Sequence, residues 1–160
     1  MPRPRIQIKN ESLTVRSALS LDAFTGAHVI AGEAGLDRAI SNAMVMEAAD
    51  IEHWGRKGIF LITSFFALKP LSSDERSGFL HKLIKIEPSG VAFKPGRLYS
   101  EAPKDIVTCC MTADIPLIQL NSTTKYESVL GDVMGSAFAA RPLHNFGRSK
   151  ESPWTRLFLL

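Results

Sequence analysis

Residues 59–63 have the sequence IFLIT, an unbroken run of apolar and β-branched residues. A strand with one face in water alternates polar and apolar side chains. A central strand of a parallel sheet is instead buried on both faces and is continuously apolar. The run IFLIT therefore predicts a strand in the middle of a parallel sheet, with neighbouring strands on both sides.

Four further apolar runs have the composition of strands, at 27–31 (AHVIA), 43–47 (AMVME), 90–93 (GVAF) and 116–120 (PLIQL). Helices are predicted between the later runs. Ser72 and Glu75 have the spacing of a capping box at one helix start, and Pro103 suits the first position of the next helix. Strands and helices that alternate with short connections predict an α/β fold, with a mainly parallel sheet flanked by helices in a single domain.

Two of these helices carry apolar residues at helical spacing. The faces consist of Phe79, Leu80, Leu83 and Ile84 in the first helix, and of Ile106, Val107, Cys110 and Met111 in the second. Shorter helices are predicted after Ser12 or Thr14 and after Asp50, because these side chains are typical N-caps. We expect the helices to cover the sheet.

The predicted C-terminal helix is amphipathic. Thr124 and Glu127 form a second capping-box pattern. An apolar stripe follows over three turns, formed by Tyr126, Val129, Leu130, Val133, Met134, Ala137 and Phe138. Such a stripe packs in a core, pairs with a second copy in a homodimer, or connects to a following domain. The predicted organisation is a polar arm at 1–11, an α/β domain at 12–124, this helix at 125–140 and an irregular basic tail at 141–160.

Charge is distributed unevenly along the chain. The net charge is +3 at pH 7, but residues 1–140 carry 15 basic and 15 acidic side chains, so the excess lies in the tail. Nucleic-acid-binding domains usually carry a basic patch on the folded part, because contacts with phosphates supply most non-specific affinity. The sequence also shows no secretion signal and no apolar run of ~20 residues. Together with the two adjacent cysteines, this predicts a cytoplasmic protein with no membrane partner.

Common catalytic and metal-binding motifs are absent from the sequence. The histidines at 28, 53, 81 and 144 lie on different predicted elements and form no pair at metal-ligand spacing. Cys109 and Cys110 are expected to be small apolar residues of a helix face rather than a thiol sensor. We therefore predict a non-enzymatic protein without cofactor or metal. A small enzyme with an unmarked site is an alternative.

A second alternative rests on residues 55–58, GRKG. They have the G-x-x-G form of a loop that clamps single-stranded RNA in one RNA-binding fold. That loop joins two helices, whereas here the predicted strand IFLIT follows directly. A basic turn that leads into a strand is the favoured interpretation.

The stretch GEAGLDR at 32–38 lies between two apolar runs. Gly32 and Gly35 are expected to permit the positive φ angles of a sharp reversal between two strands. Glu33, Asp37 and Arg38 are expected to pair with one another or with solvent. This local pattern favours a turn over a binding loop.

Six blocks of sequence resemble one protein family in their order and spacing: LTVRSAL at 13–19, GEAGLDRAI at 32–40, VME at 45–47, WGRKGIFLITS at 54–64, GVAFKPGR at 90–97 and PLIQL at 116–120. They resemble the N-terminal domain of purine catabolism regulatory protein-like (PucR-type) bacterial transcriptional regulators. The resemblance implies an α/β domain that senses a signal and is normally followed by segments ending in a DNA-binding helix-turn-helix. No such segment is recognisable after residue 140. We therefore expect a truncated or frameshifted regulator that binds no specific DNA by itself.

The resemblance also assigns positions in this chain. The family's glycine and acid turn falls on residues 32–38, and its threonine-containing strand end falls on residues 63 and 64. Many members have an acidic and an apolar residue where this chain has Ile59 and Phe60, and many have glycine where it has Phe65. The departures at 59 and 60 lie in the predicted strand IFLIT, and the departure at 65 lies in the turn that follows this strand.

Ligands of open α/β sheets usually bind beyond the carboxyl ends of the strands. With the resemblance, this rule predicts eight ligand-binding residues: Glu33, Asp37, Arg38, Glu47, Thr63, Ser64, Lys94 and Arg97. The last five are expected near one common edge, where cations and hydroxyls suit a small anionic or ureide-like effector. Binding of this effector, or of a regulatory partner, is expected to favour one arrangement of the C-terminal helix over another.

Overall fold

One five-stranded sheet organises residues 12–139, the part of the chain that the computed structural model describes. The predicted arm at 1–11 and tail at 141–160 lie outside these residues. The strands are β1 His28–Ala31, β2 Asn42–Val45, β3 Ile59–Thr63, β4 Gly90–Phe93 and β5 Leu117–Gln119, in the spatial order β1-β5-β4-β3-β2. Strands β2 to β5 are parallel and β1 is antiparallel to β5, which confirms the mainly parallel sheet.

Helices cover both faces of this sheet. Helices α1 (Val15–Ala18) and α5 (Tyr126–Ala139) pack on one face, and α2 (Ile51–Trp54), α3 (Ser73–Ile86) and α4 (Lys104–Thr112) pack on the other. One of α2, α3 and α4 lies in each connection between consecutive parallel strands, because parallel neighbours need a crossover. When successive crossovers share the same handedness and each moves to the next strand in the same direction along the sheet, their helices all lie on the same face.

Strand β3 has the central position that its sequence predicts. All five of its residues are buried. Phe60 and Ile62 pack toward α1 and α5, whereas Ile59 and Leu61 pack toward α2, α3 and α4. The core therefore consists of two layers of side chains, one on each face of the sheet.

Helix starts follow the predicted capping chemistry at two positions. Thr14 caps α1 and Ser72 caps α3, each in a reciprocal capping box. Asp50 precedes α2 but does not cap it through its side chain. Its carboxylate instead accepts a 3.1 Å hydrogen bond from the indole of Trp54. Pro103 is the N-cap residue of α4 rather than its first helical residue.

Two residues of the predicted apolar helix faces lie outside the core. Ile84 in α3 is 43% exposed and Met111 in α4 is 61% exposed, whereas Phe79, Leu83 and Cys110 are buried. The prediction that Ile84 and Met111 contribute to the packed faces is therefore wrong. Helical spacing defines the centre of an apolar face, but the position of the neighbouring elements sets its width.

The apolar stripe of α5 lies mostly against the sheet. Its buried members are Val129, Val133 and Ala137, and its partly buried members are Tyr126, Leu130 and Met134. Phe138 is 48% exposed. The carboxylate of Asp132 accepts a 2.9 Å hydrogen bond from the amide of Ala23, and the sulfur of Met134 accepts one of 3.3 Å from the amide of Ala43. Most of the stripe thus packs within the chain, and a homodimer through this helix stays a prediction.

Candidate functional site

Parallel strands give this sheet two different edges. The carboxyl edge is formed by the residues that follow β2, β3 and β4, and the amino edge by the residues that precede them. Five predicted ligand-binding residues lie at the carboxyl edge: Glu47, Thr63, Ser64, Lys94 and Arg97. The other three, Glu33, Asp37 and Arg38, lie in the connection that leads to the start of β2. The eight residues therefore form two groups at opposite edges rather than one site.

Thr63 ends β3 and holds the turn that follows it. Only 2% of its surface is exposed, and its hydroxyl oxygen accepts a 2.8 Å hydrogen bond from the amide of Phe65. Phe65 is buried and stacks on Phe93 at the end of β4, with ring centroids 5.3 Å apart. Its φ of 62° is left-handed, which costs a residue with a side chain about 1–2 kcal/mol. Glycine adopts this conformation without that cost.

Lys94 connects the carboxyl edge to α5. Its amide donates a 2.9 Å hydrogen bond to the carbonyl of Thr63, which extends the pairing of β3 and β4 by one residue. Its ammonium group lies 5.2 Å from the centre of the Tyr126 ring, within the range of a cation–π contact. Ser64 is half-buried, and Glu47 and Arg97 are exposed. The edge therefore presents a hydroxyl, the carboxylate of Glu47 and two cations, one of which contacts the first residue of α5.

The stretch at 32–38 runs along the amino edge, from the end of β1 on one side of the sheet toward β2 on the other. Gly32 has φ 74°, and Glu33–Gly35 form a 3-10 turn. The positive φ predicted for Gly35 is wrong. A Cβ at this position would lie 1.9 Å from the carbonyl oxygen of Asp114. Glycine is thus needed there for close approach to the backbone before β5 rather than for its φ angle.

Asp37 and Arg38 have different partners. Asp37 accepts a 2.9 Å hydrogen bond from Arg16, which lowers the pKa of the Asp37 carboxyl although both side chains are exposed. Arg38 donates hydrogen bonds of 2.9 Å to the carbonyl oxygens of Pro88 and Ala113. The expectation that Asp37 and Arg38 pair with one another or with solvent alone is therefore wrong, whereas Glu33 is exposed to solvent. Arg38 instead ties the segments that precede β4 and β5.

Residues 55–58 form the turn between α2 and β3. Gly58 has φ 81°, and its amide donates a 3.0 Å hydrogen bond to the carbonyl of Glu87. The ammonium group of Lys57 lies 3.2 Å from the carboxylate of Glu87. The turn leads from a helix into a buried strand, as predicted, whereas the RNA-binding loop joins two helices. Its geometry gives no support to the RNA-binding alternative.

Cys109 and Cys110 are both buried on α4, as expected for small apolar residues of a helix face. Burial raises the pKa of the Cys109 thiol, and it raises the pKa of the Cys110 thiol to about 12. Because the thiolate is the reactive form, both residues are poor nucleophiles at neutral pH. Residues 12–139 also contain no cluster of three or more His, Cys, Asp or Glu side chains that could hold a metal ion. In the same range, no helix has the length and apolar character needed to cross a membrane.

The amino edge contains a pocket that the sequence analysis did not predict. Its volume is about 540 Å³, and its walls include Arg38, Ser41, Lys57, Gly58, Glu87 and Ser89. Only Arg38 belongs to the predicted ligand-binding residues. The pocket could have been predicted from the parallel topology. The segments that precede parallel strands meet at one edge of the sheet, just as the segments that follow these strands meet at the opposite edge.

Comparison with known proteins identifies relatives of this domain. The profile of the purine catabolism regulatory protein-like family matches residues 17–136. The purine catabolism regulatory protein of Bacillus subtilis (strain 168) is 25% identical over 127 residues, which are 79% of this chain and 23% of that protein. Among solved structures, the chain is similar to the CBS and DRTGG domains of the regulatory region of Clostridium perfringens pyrophosphatase, complexed with the activator diadenosine tetraphosphate. That match has 16% identity and a TM-score of 0.49, and it covers 86% of this chain and 56% of the other.

Proposed function

The chain belongs to the purine catabolism regulatory protein-like family, and on this basis we propose that it is a small-molecule-sensing domain of a transcriptional regulator and catalyses no reaction. The proposed effector site is the carboxyl edge, with Ser64, Lys94 and Arg97 as its main contacts and Glu47 beside them. One observation carries the proposal. The contact between Lys94 and Tyr126 joins this edge to the first residue of α5.

The chemistry of the carboxyl edge favours a small anionic or ureide-like effector. Lys94 and Arg97 supply N–H donors with positive charge, which form strong hydrogen bonds with carboxylate oxygens and also bind carbonyl oxygens. The hydroxyl of Ser64 both donates and accepts, so it suits a carbonyl or an amide. The family's connection with purine catabolism makes ureides and purine-derived acids the first compounds to test.

The proposed mechanism is a population shift in α5. A cation–π contact at a partly exposed site stabilises by about 0.5–1 kcal/mol. An anionic effector that binds the ammonium group of Lys94 therefore changes a weak contact at the start of the helix. Asp132 and Met134 connect the same helix to Ala23 and Ala43, on two other parts of the fold. A change at Tyr126 is thus able to alter how α5 packs.

Thermal denaturation with a panel of ureides, purines and small carboxylates tests this proposal. Saturation at one hundred times the dissociation constant stabilises a protein by about 2.7 kcal/mol, which raises Tm by several degrees. We expect Arg97→Ala and Ser64→Ala to reduce the rise in Tm. Thr63 is unsuitable for this test because its hydroxyl holds the amide of Phe65.

The matched control is Arg56→Ala, which removes an exposed arginine from the amino edge. This variant is expected to keep the full rise in Tm. A compound whose stabilisation survives both Arg97→Ala and Ser64→Ala would show that the effector binds elsewhere. A panel in which no ureide, purine or carboxylate raises Tm would count against sensing of this class of compound.

A further inference from the structure

The pocket at the amino edge lies where the segments before β2, β3 and β4 meet. Its volume of about 540 Å³ is within the usual range of about 300–1,000 Å³ for small-molecule sites. The residues that line it come from three connections, at 38–41, 57–58 and 87–89. It lies at the edge opposite to the proposed effector site, so it is a separate feature of the fold.

Ser89 lines this pocket and has an unpaired hydroxyl. Only 1% of its surface is exposed, and its amide donates a 2.8 Å hydrogen bond to the carbonyl of Ile59. Its Oγ has no hydrogen-bond partner among the described residues. Nearly all buried polar groups in folded proteins are paired, so an exception needs a physical explanation. A ligand that supplies the missing acceptor is one such explanation.

Arg38 brings a positive charge to the same pocket. Its guanidinium is half-buried and is held by the carbonyl oxygens of Pro88 and Ala113, both of which are neutral acceptors. Within residues 12–139, no carboxylate lies at ion-pair distance from it. Two of the five N–H groups of the guanidinium donate these hydrogen bonds, and the two bonds fix the plane of the guanidinium. The charge is therefore positioned but not neutralised.

The rim of the pocket adds one charge of each sign. Lys57 and Glu87 form an exposed ion pair of 3.2 Å, in which the two charges largely cancel. The hydroxyl of Ser41 donates a 3.1 Å hydrogen bond to the carbonyl of Lys57, which fixes the loop before β3. With Arg38 included, the pocket has a net positive charge and at least one unused hydroxyl.

We propose that this pocket binds a small molecule that carries an oxyanion, either a carboxylate or a phosphate. Arg38 supplies the charge, Ser89 supplies a hydrogen bond, and Lys57 contributes a second cation when it leaves Glu87. The proposal is independent of the effector site at the carboxyl edge. It gives Arg38 two roles, one in joining the segments before β4 and β5 and one in binding the anion.

Titration of the full chain, followed by amide and arginine side-chain NMR signals, tests this inference. The probes are sodium phosphate and sodium malonate, each compared with sodium chloride at equal ionic strength. We expect shifts concentrated at residues 38–41, 57–58 and 87–89. Tighter binding of phosphate or of malonate assigns the oxyanion. Ser89→Ala is expected to weaken binding about two- to tenfold, the loss that corresponds to one hydrogen bond.

Two variants separate a binding role from a structural one. Ser89→Ala removes an unpaired hydroxyl, so it keeps the fold and its stability. Lys69→Gln removes an exposed lysine that lies outside the pocket, and its binding is expected to match the wild type. The inference is overturned if neither probe causes shifts beyond those of sodium chloride, or if Ser89→Ala binds both probes as tightly as the wild type.

Discussion

At the scale of single residues, Gly35 is one of two positions within residues 12–139, with Gly32, at which an added Cβ would meet a backbone carbonyl oxygen at 1.9 Å. A Cβ at Gly35 would lie 1.9 Å from the carbonyl oxygen of Asp114, which is a backbone atom that cannot turn away. We predict that Gly35→Ala lowers the free energy of unfolding by about 3 kcal/mol or more, measured by urea denaturation. Gly131→Ala in α5 is the control. Apart from its chain neighbours and the backbone of its own helix, no atom lies within 4 Å of its added Cβ, so this variant is expected to raise stability by about 0.5–1 kcal/mol.

Phe65 combines a strained backbone with a buried ring, and the two effects can be separated. Phe65→Ala is expected to cost about 3–5 kcal/mol, because it removes a buried aromatic ring and keeps the left-handed φ. Phe65→Gly removes slightly more surface but relieves about 1–2 kcal/mol of backbone strain. We predict from thermal denaturation that the glycine variant is the more stable of the two and is still less stable than the wild type. The opposite order would contradict a left-handed Phe65.

At the scale of elements, the contact between α3 and α4 depends on pH. Arg76 donates hydrogen bonds of 2.9 and 2.7 Å to Asp105, and these bonds lower the pKa of the Asp105 carboxyl. The unfolded value is about 3.9. The pair therefore stabilises the fold above about pH 4, and this contribution is lost as the pH falls through the lower folded pKa. Asp105→Asn is expected to lower the free energy of unfolding by about 1–2 kcal/mol at pH 7. The variant is also expected to lose less stability than the wild type when the pH is lowered.

The pair of Arg16 and Asp37 provides a matched control for this prediction. Its geometry is similar, with hydrogen bonds of 2.9 and 3.4 Å, but its side chains are 60% and 78% exposed. Solvent weakens an exposed pair, so Asp37→Asn is expected to cost much less than Asp105→Asn in urea denaturation at pH 7. Equal losses in the two variants would contradict the assignment of the effect to partial burial.

Helices and strands were predictable from the sequence where they depend on residues that are close together in the chain. Strands β3 and β4 begin and end at the predicted residues, because a buried parallel strand is a continuous apolar run. The cap at Ser72 depends on a residue three positions along and was also predictable, whereas for α1 the sequence left Ser12 and Thr14 open. The exposure of Ile84 and Met111 was not, because it depends on how widely neighbouring elements cover each helix.

At the scale of the whole molecule, the candidate sites were predictable only in part. The parallel topology predicts that Lys94 and Arg97 share the carboxyl edge with the end of β3, and the structure agrees. The role of Arg38 had no local signal, because its carbonyl partners lie 50 and 75 residues away in the sequence. The unpaired hydroxyl of Ser89 is likewise a property of the packed fold and of no sequence pattern.

Effector sensing at the carboxyl edge is tested most directly by hydrogen–deuterium exchange with and without a saturating compound from the ureide and carboxylate panel. We predict changes in exchange at residues 63–64 and 94–97 and in the first turns of α5, because Lys94 contacts Tyr126. The variant Lys94→Gln is expected to remove the change in α5. Changes confined to residues 38–41 and 87–89, with exchange in α5 unaltered, would contradict sensing at this edge.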